Sequence, residues 1–151
     1  MTRRQKITDK LLDYLQAITT ANGYLTNTGA KVYHWRTQIT PKENELIAIL
    51  QDTVNNHERG HTETLLISVL LSCKTATNYT TITNMIQDVH KAFADNEDNL
   101  GAVLSNSVRF IPISEEIDIK LENNSEYAEA LVELLLEHRF TEKWELDETE
   151  Y

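Results

Sequence analysis

Residues 63–72 (ETLLISVLLS) constrain this chain more than any other segment, because so long an apolar, β-rich run reads as a strand. The expectation is a central strand buried on both faces. Either side of it the hydrophobic spacing is helical. Ile7, Leu11, Leu15 and Ile18 recur at helical intervals, with Asp9, Lys10, Asp13 and Gln16 on the other face. Ile82, Met85, Ile86, Val89 and Phe93 make a second stripe, for which Thr80 is the expected N-cap. Asn22 and Gly23 tolerate a left-handed backbone and are expected to close the first helix, and Gly29 marks a further break.

The remaining segments read mostly as strands. Residues 31–37 (KVYHWRT) are β-branched and aromatic, and residues 45–51 (ELIAILQ) follow Pro41 as a short apolar run. Residues 52–61 are polar and predict a loop, and the acidic residues 95–99 predict a turn. Residues 107–113 suit a strand with Pro112 near its end. Ile117, Ile119 and Leu121 alternate with Asp118, Lys120 and Glu122, the pattern of a half-buried strand. Residues 122–125 (ENNS) are turn chemistry. Residues 128–140 stay open between helix, favoured by Ala, Leu and Glu content, and strand, favoured by alternation. The order predicts one α+β domain over residues 1–146, a mixed, mainly antiparallel sheet flanked by two helices. An acidic tail over 147–151 follows.

One pattern invites an enzymatic reading. His57, Glu58 and His61 fit H-E-x-x-H, in which two histidines one helical turn apart hold zinc and the glutamate activates water. That spacing works only on a helix. Gly60 would sit inside it at a cost of about 1 kcal/mol, and Asn55 and Asn56 are poor helix formers. A polar loop between two strands is the expectation, with a small zinc peptidase as the alternative from a different class. The four glycines are scattered, so no phosphate-cradling loop is present. The single cysteine, Cys73, ends an apolar strand and is expected to be inert core, which suits a reducing cytosol. His34 and His138 are expected to be packed or surface residues. Neither enzymatic activity nor a metal or cofactor is expected.

Charge is unevenly placed. Residues 1–75 hold nine Lys/Arg and seven Asp/Glu, a balance of +2, whereas residues 76–151 hold five and 17, a balance of −12. Such acidity disfavours specific nucleic-acid binding. No stretch reaches the roughly 18 apolar residues of a membrane span, so no membrane partner is expected. Tyr33 and Trp35 are predicted to share one face of the first strand, with His34 and Arg36 on the other. As exposed aromatics and arginines anchor protein contacts, Tyr33, Trp35, Arg36, Arg139 and Trp144 are the candidate interface residues. Arg3, Arg4, Lys6 and Lys10 could pair with acidic patches on a neighbour.

Taken in order, these segments resemble the tail terminator family of long-tailed bacteriophages. The likeness runs over about residues 7 to 146: the first helix, the strand carrying Tyr33 to Arg36, Pro41 and the 45–49 run, the 63–72 strand, the 82–93 helix, residues 99–101 (NLG), and a closing 134–140 segment ending in His138, Arg139 and Phe140. The resemblance implies a mixed sheet flanked by helices and a hexameric ring of identical subunits. That ring would cap the last layer of tail-tube protein, stop tube growth and meet the head-completion or connector protein. DNA would pass through without specific binding; because like charge keeps DNA from sticking, part of the 76–151 acidic excess is expected to face the channel. It implies a non-enzymatic virion protein of the tail or neck, assembled in the host cytoplasm, and it makes 128–140 a long strand. The polar 52–62 segment and the strongly acidic C-terminus depart from the family pattern. A head–tail connector or tail-completion protein would share the same size, charge and fold type.

Overall fold

A computed structural model describes residues 2–37, 39–58 and 62–139. Helix α1 (Arg3–Gln16) begins on a reciprocal cap. The Thr2 hydroxyl accepts from the Gln5 amide at 3.1 Å, and the Gln5 side-chain oxygen accepts from the Thr2 amide at 2.8 Å. The helix ends earlier than predicted, at a cap on Ala17. Asn22 and Gly23 instead close a separate 3-10 turn, with Gly23 left-handed at φ 89°. The cause is tertiary: the Ile18 carbonyl accepts from the Gly29 amide at 2.8 Å. A Cβ on Gly29 would lie 2.3 Å from the Gln16 carbonyl oxygen and 2.8 Å from that of Leu15. Both are backbone atoms and cannot swing aside. Gly29→Ala is therefore expected to lower the unfolding free energy by about 3 kcal/mol, the upper end for overpacking. Urea denaturation with an unchanged slope checks it.

Among the described residues five strands form one sheet: β1 (Val32–His34), β2 (Glu45–Glu58), β3 (Thr62–Lys74), β4 (Val108–Glu122) and β5 (Ser125–Arg139), in the order β1-β2-β3-β5-β4. Only β1 and β2 are parallel. The class is α+β with a mixed, mainly antiparallel sheet, as predicted. Helix α2 (Asn78–Asp95) buries Ile82, Met85, Ile86, Val89 and Phe93, and its N-cap is Thr77, not Thr80. The start moves because the Asn78 side chain accepts from the Thr75 amide at 2.7 Å and donates to the Glu126 carbonyl at 3.1 Å. The predicted 95–99 turn contains the start of a third helix, α3 (Glu97–Leu104). Its first-turn Glu97 and Asp98 suit the positive end of the helix dipole, and Leu100 and Leu104 are buried.

All three helices share one face of the sheet, and a single core joins them to it. Strand β3 is consequently not covered equally on both sides. Leu65, Ile67, Val69, Leu71 and Cys73 are at most 1% exposed toward the helices, while Leu66 and Leu70 on the other face are only half-buried. In β5 the alternation prevails over helix-favouring composition: Ala128, Ala130, Val132, Leu134, Leu136 and His138 are all buried.

Two predicted interruptions are absent. Strand β2 continues through 52–58, where a loop was expected, because residues 54–58 pair with Leu66 to Thr62. Strand β4 passes through Pro112 without a break. Each strand absorbs one extra residue instead, Thr53 in β2 and Ile113 in β4, and both bulges adjoin the row Asp52–Ile67–Leu134–Pro112. Proline is tolerated there because β4 is an edge strand. The turn between Glu122 and Ser125 is made by Asn123 and Asn124 at φ 50° and 62°, the mirror-image hairpin turn that asparagine accommodates.

Candidate functional site

Regular structure in β1 stops at His34, and Trp35 adopts φ 51°, a left-handed conformation that is costly for a bulky side chain. This breaks the alternation predicted for 33–36. His34 and Trp35 turn together toward Asp52, while the Arg36 guanidinium lies 4.6 Å from the centroid of the Tyr33 ring. Tyr33 is opposite Ile49, so this stack belongs to the face away from the helices.

Asp52 is the residue the sequence analysis missed. It follows Ala48 and Leu50 on the even-numbered, helix-facing side of β2 and is 5% exposed. Its Oδ2 accepts from Arg4 Nε at 2.6 Å and its Oδ1 from Trp35 Nε1 at 2.8 Å, with His34 Nε2 at 3.0 Å. Arg4 Nη2 also donates to the Asp52 carbonyl at 2.9 Å. Burial alone would raise the pKa of this carboxyl, but the hydrogen bonds from His34, Arg4 and Trp35 outweigh it and hold the group below its ordinary value. The result is an indole fixed at its N–H with its ring 56% exposed. A rigid, solvent-facing aromatic is what an interface anchor requires. An acid on the buried parity of an apolar strand was the available signal, since such a group needs partners.

At the opposite edge of the sheet, Ile117, Ile119 and Leu121 are 38%, 44% and 71% exposed, where a half-buried strand was predicted. Helix α2 reaches β4 at Phe110, which stacks on Phe93, and at Glu115, whose carboxylate meets His90 at 2.6 Å. The three aliphatic residues lie beyond that cover. They stand on the helix side of the sheet, since Ile117 and Ile119 are opposite buried Ala130 and Ala128. On the other side, Glu116, Asp118, Lys120 and Glu129 surround a cleft of about 190 Å³ with Leu70 and Leu131 in its lining. Lys120 Nζ bonds Glu129 at 3.2 Å, and Glu116 and Glu122 have no ion-pair partner among the described residues.

The other candidates are placed as follows. Arg139 ends β5, but its side chain, Trp144 and the 147–151 tail lie outside the described residues. Arg3 and Arg4 have partners within the chain: Arg3 Nε donates to His138 Nδ1 at 3.3 Å, and Arg4 holds Asp52. His138 is fully buried, with Nε2 3.3 Å from Glu63. Cys73 is also buried, which pushes its thiol up to about 11. His57 and Glu58 stand on extended β2 opposite Glu63 and Thr62, so the helical spacing of a zinc site is lost there; His61 lies outside the described residues. Among the described residues no three His, Cys, Asp or Glu side chains converge as metal ligands, and no helix is long and apolar enough to cross a membrane. Neither family models nor curated proteins match this chain.

Proposed function

We propose that this chain is a virion structural protein of a long-tailed bacteriophage, a tail terminator that acts by assembly and not by catalysis. Copies close into a hexameric ring on the last layer of tail-tube subunits, end tube growth and present their other face to the head-completion or connector protein, with DNA passing through the bore. The resemblance across residues 7 to 146 supplies the family. One observation supports the ring: exposed apolar groups stand at both outer edges of the same sheet, Trp35 just beyond β1 and Ile117, Ile119 and Leu121 on β4. A ring of identical subunits needs two different surfaces per copy, each matched to the other, and opposite sheet edges meet that need.

The test is biological and structural together. A phage lacking this product is expected to make tails of uncontrolled length that do not join capsids. Purified protein added to growing tubes is expected to stop their elongation, leaving a ring visible at the end by electron microscopy. Tails of normal length that join heads without it would overturn the reading.

A further inference from the structure

We infer that the subunits meet edge to edge, the β1 edge of one copy docking on the β4 edge of the next. This rests on the ring reading above and names the contact within it. The occupant of each edge is thus a second copy of this chain, for three reasons.

The first is charge. The sheet order sends the two halves of the sequence to opposite sides, β1, β2 and β3 from the first half and β5 and β4 from the second. The charge contrast that bears on an edge contact is the one between the two outer edges. At one edge, residues 31–36 carry Arg36, and Lys31 paired with Glu45 of β2, with no acid among them. At the other, residues 114–122 carry Glu115, Glu116, Asp118 and Glu122 against Lys120 alone. Opposite patches on one subunit steer head-to-tail association and disfavour any contact that places like edge on like edge.

The second is that the match holds on each face separately. On the helix side, the indole held by Asp52 projects at the β1 edge, and Ile117, Ile119 and Leu121 lie bare at the β4 edge. On the far side, the Arg36 guanidinium stacked on Tyr33 is the projecting group. Its counterpart is the cleft of Glu116, Asp118, Lys120 and Glu129, in which Lys120 bonds Glu129 and Glu116 is left for a partner's cation, with Leu70 and Leu131 in its lining. Continuing the sheet from copy to copy keeps helix side with helix side, so aromatic meets aliphatic and cation meets carboxylate at once. The strand directions also suit, since β1 and β4 run antiparallel to each other within the sheet.

The third is the edge itself. An exposed, fifteen-residue outer strand carrying aliphatic side chains is a template for unwanted pairing, and proteins cover such edges.

Charge reversal tests the contact. Arg36→Glu alters the basic edge, and Glu116→Lys with Glu122→Lys alters the acidic one; all three side chains are exposed, and unchanged circular dichroism melts confirm folding. Sedimentation velocity, for protein alone and with tube ends present, is expected to show self-association of the wild type that weakens with salt. Each variant alone is expected to associate at least about tenfold more weakly, and an equimolar mixture to regain association, because each reversed edge now matches the other. Leu121→Asp is expected to weaken assembly without the salt dependence changing. A wild type that assembles and is unaffected by any of these substitutions overturns this contact and leaves the ring standing. A wild type that never self-associates, alone or on tube ends, overturns both.

Discussion

Asp52→Ala is expected to remove about 3 kcal/mol of stability and to free the Trp35 ring. The carboxylate is buried and serves Arg4, His34 and Trp35 together, so truncation strands a guanidinium and two ring nitrogens in one step. Breaking a buried charge pair by removing one partner costs about 3–5 kcal/mol. Arg4 retains partial access to water, and this places the value at the low end. Because the carboxyl is held below its ordinary value of 3.8, its contribution is complete above that value in the unfolded chain. It is lost as pH falls through the lower folded value. Denaturant midpoints measured from neutral to acid pH should therefore fall for the wild type and stay flatter for Asp52→Ala. Fluorescence anisotropy in a Trp144→Phe background, where Trp35 is the only indole, should drop in the variant. A decrease in stability without increased ring motion would mean that Asp52 only supports the fold and does not orient the aromatic.

Phe93→Ala is expected to be at least as severe, at about 4 kcal/mol. Phe93 is fully buried on α2, and its ring stacks on Phe110 of β4 with centroids 5.1 Å apart. Truncation leaves a cavity where the helix layer grips the edge strand, so the loss includes part of that attachment. Phe93→Leu keeps most of the volume and should cost less than about 1.5 kcal/mol. Urea unfolding gives both numbers. Amide exchange gives the location: protection in residues 108–115 should fall more than in β3 for the alanine variant.

The contrast between these two residues shows what could be read in advance. Phe93 closes a stripe with Ile82, Met85, Ile86 and Val89, and 3.6-residue spacing announces such a face whatever surrounds it. Alternation in 128–138 pointed to the strand that forms, while composition leaned to helix, so the residues alone left it open. The asparagines at 123 and 124 marked their turn through left-handed tolerance. What stayed hidden depends on position in the sheet. Ile117, Ile119 and Leu121 have the pattern of a half-buried strand, and nothing local says that β4 is outermost and outruns α2. Thr53 and Ile113 let strands continue where polar residues and a proline suggested breaks, because pairing with β3 and β5 supplied the hydrogen bonds. Trp35 was legible as an interface candidate. Its partner Asp52 was not, since the link joins α1, β2 and the end of β1 across the tertiary structure.

The extra residue at Ile113 also acts as a parity switch. Ahead of it, even-numbered β4 side chains such as Phe110 look toward the helices; after it, odd-numbered ones such as Ile117 and Ile119 do. Were the bulge ironed out with the residue kept, so that Ile113 stood opposite Glu133, the outer half of the strand would invert, sending Glu116 and Asp118 to the helix side and Ile117 and Ile119 to the far side, while the grip of Phe110 on the helix layer stayed in place. The bulge thus decides which side chains this edge offers a neighbour, without touching the interior that keeps the subunit folded.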